Sequence, residues 1–354
     1  MKIGIITILD NKNYGNRLQN YALQTILEGM GHSVETVKNN VYYNTKRSPV
    51  RILIWRFWRI LCGKNVPCKV NKQRYSHFEN FNLNIRFNKI TYLGNCRYDR
   101  YDYYITGSDQ VWNPNGRLTA IDLLAFAKPE KRVAFSASFG VSELPEGKKE
   151  EARIELSKFK AISVREDAGK RIVEELTGRK DVQVLLDPTM FLSAQEWNRV
   201  AKQPEMLKTE SPYLLMCFLG GIAEQRKEEV QIFSQRHGWI IVDIADEKSP
   251  YYECGPSEFL YLEKNAALIC TDSFHASVFA IIYNRPFVVY YREGDSEQSM
   301  HSRVQTLLDK FGLKDRAYSG KLTEEQLIYS YEGVCAQLDK EKERAFDFLR
   351  RALK

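Results

Sequence analysis

The side chain best placed for chemistry is His275, in the stretch TDSFHASVFAIIYNRPFVVYY from Thr271 to Tyr291. Thr271, Asp272 and Ser273 follow an apolar run, and Phe274–Tyr283 has the pattern of an apolar helix, so the imidazole falls in a first helical turn. There the helix dipole opposes protonation while a bound phosphate would favour it. Such a ring suits proton transfer beside an anion. The competing reading is a histidine satisfied inside a core.

Three other loops place polar groups just after a predicted strand. In DNKNYGNRLQ, Gly15 permits a tight turn and Asn16 stands where it could cap a helix or meet an anion or sugar hydroxyl. In TGSDQVWNP, the strand Tyr103–Thr106 runs into Gly107, Ser108, Asp109 and Gln110, with Trp112 as an aromatic face for a sugar ring. A capped turn is the plainer reading of that loop. In AISVREDAG, Arg165 follows a strand and could grip a carboxylate or phosphate, or pair with Glu166 or Asp167.

The five histidines show no H-x-x-x-H or H-x-H pair and no acidic metal motif appears, so metal-independent chemistry is expected. The chain has no G-x-G-x-x-G, no Walker sequence and no G-x-S-x-G elbow. Neither a dinucleotide, a nucleoside triphosphate nor a serine hydrolase is indicated.

Those loops need a scaffold, and the sequence alternates short apolar runs with helical patterns. Ile3–Leu9, a helix near Leu18–Met30 and Val34–Val37 form a βαβ opening. The alternation resumes near Tyr103 and again from Tyr213, each half reading as an open parallel sheet wrapped by helices. The expected architecture is α/β, with two Rossmann-like domains facing a cleft. The N-terminal domain spans 1–190 with a helical insertion at about 40–100, the C-terminal domain spans 191–325, and a helix at 326–354 packs back on the first domain.

At 354 residues, two domains are the natural expectation, and charged residues at 27% are ordinary for a soluble protein. The formal charge of +7 comes without a basic stripe, which favours an anionic small molecule over nucleic acid. Seven scattered cysteines fit reduced thiols in the cytoplasm. No apolar run approaches the roughly 20 residues of a membrane span. In SPVRILIWRFWRILCG, Arg51, Arg56 and Arg59 share one helical face opposite apolar residues. Residues 49–62 therefore read either as a helix packing on its own domain or as a peripheral contact with the inner face of a membrane.

Seven ordered segments carry a resemblance: NYGNRLQNYALQ, YYITGSDQVWNP, SVRE, VLLDPTMFL, GPSEFLYL, ICTDSFHASVFAIIYNRPFVV and SRVQTLLDKFGL. Together they resemble the polysaccharide pyruvyl transferase family. The resemblance implies a GT-B-like fold and transfer of the pyruvyl unit of phosphoenolpyruvate onto two hydroxyls of one sugar, with release of phosphate. No cofactor is implied beyond that co-substrate, and the acceptor is a sugar or lipid-linked oligosaccharide. On this mapping His275 and Arg165 are catalytic, and Ser273, Arg303, Arg285 and Arg292 bind the donor. Asn16, Gly107, Ser108, Asp109, Gln110 and Trp112 bind the acceptor. The resemblance further implies that Asp187 buttresses the interdomain turn. Ser273 departs from the family's R-x-H triplet, and Arg285 or Arg292 stands in for the missing guanidinium. The alternatives are a GT-B glycosyltransferase using a nucleotide sugar and a non-catalytic glycan-binding protein.

Overall fold

The computed structural model describes residues 1–38, 71–88, 100–208, 211–292 and 298–354, the side chains of 298–301 excepted. Most of the expected insertion, including the amphipathic stretch 49–62, lies outside the described residues. Among those described, no helix is long and apolar enough to cross a membrane.

The first strand, β1 (Lys2–Ile6), is apolar on both faces, as a strand between two helical layers must be. It pairs in parallel with β2 (Ser33–Val37) and β4 (Tyr103–Thr106). The full sheet adds β3 (Phe87–Asn88), β5 (Arg132–Ala137), β6 (Ala161–Val164) and β7 (Gln183–Val184). Its order is β3-β2-β1-β4-β5-β6-β7, so the winding direction reverses between β1 and β4. That reversal opens a crevice beyond the carboxyl ends of these two strands.

The second sheet holds β8 (Tyr213–Cys217), β9 (Ile240–Asp243), β10 (Leu268–Thr271) and β11 (Phe287–Val289) in the order β11-β10-β8-β9. All its pairings are parallel, and its reversal lies between β8 and β10. Each of the four loops at the two reversals contributes residues to one cleft.

Local sequence explains where the helices begin. The first, Tyr14–Gly29, starts four residues before the expected Leu18 because Asn13 caps it, accepting the Gly15 N–H at 2.9 Å. Its face of Leu18, Ala22, Leu23 and Leu27 is buried. Gly31, at φ +85°, lets the chain turn out of the helix into β2.

Aromatic and cationic side chains join the halves. Trp197, buried in the connecting segment, donates its indole N–H to Thr189 O at 3.0 Å and packs between Tyr21 and Phe279, at 5.6 and 5.1 Å between ring centroids. Tyr14 stacks on Phe259 at 4.7 Å. Arg74, on the helix Lys72–Asn82, donates to Tyr14 Oη at 2.7 Å, to Tyr252 O at 2.5 Å and to Lys12 O at 3.2 Å. One apolar cluster consequently runs from Ile3 and Leu18 to Phe279 and Leu308. The last helix, Val334–Ala352, sets Phe348 against Phe135 of the first sheet at 6.1 Å.

Candidate active site

A cleft of about 390 Å³ lies where the two reversals meet. On its N-terminal side, the loop after β1 is shaped by Asp10. Its Oδ1 accepts the backbone N–H groups of Lys12 (3.3 Å) and Asn13 (3.4 Å) and the side-chain N–H of Asn16 (2.9 Å). The loop after β4 is tied down from below: Gln19 Oε1 accepts the Ser108 N–H at 2.8 Å, and Ser108 Oγ lies 2.8 Å from both Ser136 O and Asp187 Oδ2. Asp109 adopts φ +62°, a conformation that short polar residues tolerate better than most.

Beneath the floor is a buried ionic lattice. Arg165 donates to Asp187 Oδ2 at 2.7 Å and to Asp109 Oδ1 at 3.1 Å, with its guanidinium 4.3 Å from the Phe274 ring centre. Burial disfavours every charge here, yet the pairings outweigh it. Asp187 is held well below the usual carboxylate range by His275, Arg165 and the Thr189 N–H. Asp109 is lowered too, by Arg165, His275 and Arg303. The Arg165 pKa ends above its usual value because Asp109 and Asp187 flank it.

The C-terminal side brings the imidazole. Ser273 caps the helix Phe274–Ile282, its Oγ accepting the Ala276 N–H at 3.4 Å. This sets His275 in the first turn, 5% exposed, with Nε2 3.7 Å from Asp187 Oδ2. That distance suits an ion pair when the ring is protonated. A Cβ at position 15 would overlap the ring, so only glycine lets the first domain close over it.

Two guanidinia complete this side. Arg292 Nε donates to Asp272 Oδ2 at 2.7 Å, while the Leu219 and Gly220 N–H groups hold the same carboxylate at 2.6 and 2.7 Å. Arg303 lies 3.9 Å from Asp109, and with the Gln110 amide oxygen turned towards it the contacts are 3.1 and 2.7 Å. Burial and the neighbouring Arg165 lower its pKa to about 10, so it stays cationic at neutral pH.

The model of the polysaccharide pyruvyl transferase family matches residues 13–294. The chain belongs to this family. No curated protein matches it. Among solved structures, the UDP-GlcNAc 2-epimerase of Methanocaldococcus jannaschii aligns at 14% identity and TM-score 0.50, covering 99% of this chain and 100% of that one. UDP-N-acetylglucosamine 2-epimerase from Rickettsia bellii aligns at 9% identity and TM-score 0.50, covering 100% of this chain and 97% of that one. At such identities the likeness speaks to the fold, which is α/β with two Rossmann-like halves in a GT-B-like arrangement.

In this family member the cleft gathers Asn16, Asp109, Gln110, Ser273, His275, Arg292 and Arg303 from the residues anticipated by sequence. Five others sit elsewhere. Arg165 lies under the floor, its guanidinium already engaged by two carboxylates, so it organises the site instead of gripping a ligand. Trp112 is wholly buried, donating to Asp122 O at 3.1 Å, and offers no face to a sugar. Gly107 and Ser108 form the turn behind the lining, where a Cβ on Gly107 would overlap Phe135 O. Arg285 precedes β11, at the end of the sheet opposite the cleft, with its carbonyl accepting from Tyr331 Oη at 2.6 Å.

Sequence reasoning missed Asp10, Asn113, Arg117 and the anchoring role of Asp272. Asp272 could have been found, because it follows the same strand as His275. Asp187 was placed at the interdomain turn, and it also faces the imidazole.

Proposed function

We propose that this protein transfers the pyruvyl unit of phosphoenolpyruvate onto two hydroxyls of one sugar in a cell-surface polysaccharide or its lipid-linked precursor. Family membership supports the reaction class. The observation that carries the rest is an imidazole and two guanidinia, His275, Arg292 and Arg303, lining one cleft. Phosphoenolpyruvate is small and multiply anionic, and charge-assisted contacts to guanidinium are the strong, geometrically specific kind.

His275, with Asp187 facing its Nε2, acts as the general acid that protonates the donor's methylene carbon. The enol carbon then becomes electrophilic and is attacked by an acceptor hydroxyl. Arg303 and Arg292 hold the donor's phosphate and carboxylate. Arg292 supplies the positive charge that Ser273 does not, and Asp272 fixes its direction. As written, this is acid–base chemistry without a metal.

The test is incubation with phosphoenolpyruvate and a panel of sugar acceptors, with mass spectrometry seeking the pyruvyl ketal and a coupled assay following phosphate. Ketal formation is expected from the wild type and none from His275→Ala. Thermal protection by a nucleotide sugar and none by phosphoenolpyruvate would instead favour glycosyl transfer.

A further inference from the structure

Forming a ketal requires each of two hydroxyls to surrender a proton, so a pyruvyl transferase needs a base as well as an acid. Three carboxylates line the cleft: Asp10, Asp109 and Asp272. Two of them are committed. Asp109 binds Arg165 at 3.1 Å, and Asp272 receives Arg292 and two backbone N–H groups. Asp10 is different: no cationic side chain among the described residues pairs with it. All three of its hydrogen bonds fall on Oδ1, from Lys12 N, Asn13 N and Asn16 Nδ2. These fix the plane of the carboxylate and leave Oδ2, on a residue that lines the cleft, without a hydrogen bond among the described residues.

We propose that Asp10 is the general base for the acceptor hydroxyl, an inference that rests on the pyruvyl-transfer reading. The first hydroxyl bonds to the donor's enol carbon as its proton passes to Asp10 Oδ2, while His275 delivers a proton to the methylene, making it methyl. The C–O bond to phosphate then breaks, and phosphate leaves carrying the proton from Asp10. The second hydroxyl adds to the same carbon and its proton restores His275. Each residue ends as it began, and one proton each stays on the methyl group and on phosphate. The acceptor this geometry takes is a neutral diol, since a carboxylate there repels an anionic sugar.

Asp10→Asn separates catalysis from loop structure, because an amide oxygen still accepts the Lys12, Asn13 and Asn16 N–H groups. With phosphoenolpyruvate and methyl glycosides bearing free diols, its turnover is expected to fall on the order of 10²–10⁴-fold. Its melting temperature and its calorimetric affinity for phosphoenolpyruvate are expected to match the wild type, and Asp10→Glu is expected to recover part of the rate. Turnover by Asp10→Asn within a few-fold of wild type would overturn the inference alone. Absence of any ketal from the wild type would overturn the pyruvyl-transfer reading, and the inference with it.

Discussion

The two walls of the cleft differ in what they contribute. The N-terminal wall offers carboxylates and amides on loops fixed by short-range hydrogen bonds, as at Asp10 and Asn16. The C-terminal wall offers the imidazole and guanidinia, with His275 on a helix and Arg292 held by a carboxylate. Each wall has ion pairs of its own, Arg165 with Asp109 and Asp187 on one side and Arg292 with Asp272 on the other, and further pairs cross the gap: His275 faces Asp187, and Arg303 faces Asp109. Neither half carries the whole cluster, so the imidazole and its electrostatic setting come together only when the halves are packed together.

The strongest way to break this comparison is to remove the imidazole. His275→Ala is expected to reduce phosphate release by 10²–10⁴-fold or more, on the order expected for a lost general acid, with an unchanged circular dichroism spectrum. Full turnover by that variant would mean the C-terminal wall holds no acid. Next comes the lattice below the floor. Asp187→Ala leaves a buried guanidinium short of one partner and is expected to cost about 3–5 kcal/mol in urea unfolding. The sign of its pH dependence follows from the lowered carboxyl. The stabilisation is fully present above the ordinary carboxylate pKa and fades as pH falls below it, so wild type and variant converge in acid.

A smaller effect is expected at Arg303. Replacing it with Ala removes one charge-assisted contact and should weaken phosphoenolpyruvate binding by about 1.5–3 kcal/mol in calorimetry. Unaltered affinity would place the donor elsewhere on the wall. The smallest effect is expected at Ser273, where Ala removes a helix cap for about 1 kcal/mol of stability. If Ser273→Ala instead abolished donor binding, the hydroxyl would be a ligand contact and not only a cap.

The alternation of strands and helices was legible because apolar periodicity is a local signal. The position of His275 was legible for the same reason, since a polar triplet followed by an apolar helical run fixes a first turn. Arg165 and Trp112 show where such reading stops: sequence places a residue in a loop but not the direction of its side chain. Arg165 turned down into the lattice, and Trp112 turned into a core with Phe139 and Phe159. Arg285 was decipherable with the right rule, because it stands before its strand and ligand crevices form after strands. Asp10 passed unnoticed because its solitude among the cleft's carboxylates appears only once the partners of the others are known.

A buried carboxyl with no such partners makes a useful contrast. Both Glu263 oxygens lack a hydrogen-bond donor, and burial pushes its pKa well above the usual range. A raised folded pKa favours the fold in acid and penalises it as pH rises, so Glu263→Gln is expected to raise the melting temperature at pH 8 more than at pH 4. Equal shifts at both values would count against a proton held there.

The indole of Trp197, clasped by a ring from each half, implies something about the molecule's energetics as a whole. Because one apolar cluster passes through it from one half to the other, the two sheets are expected to unfold as a single cooperative unit. Denaturant should melt them in one step, and either half expressed by itself would bare a greasy face and aggregate.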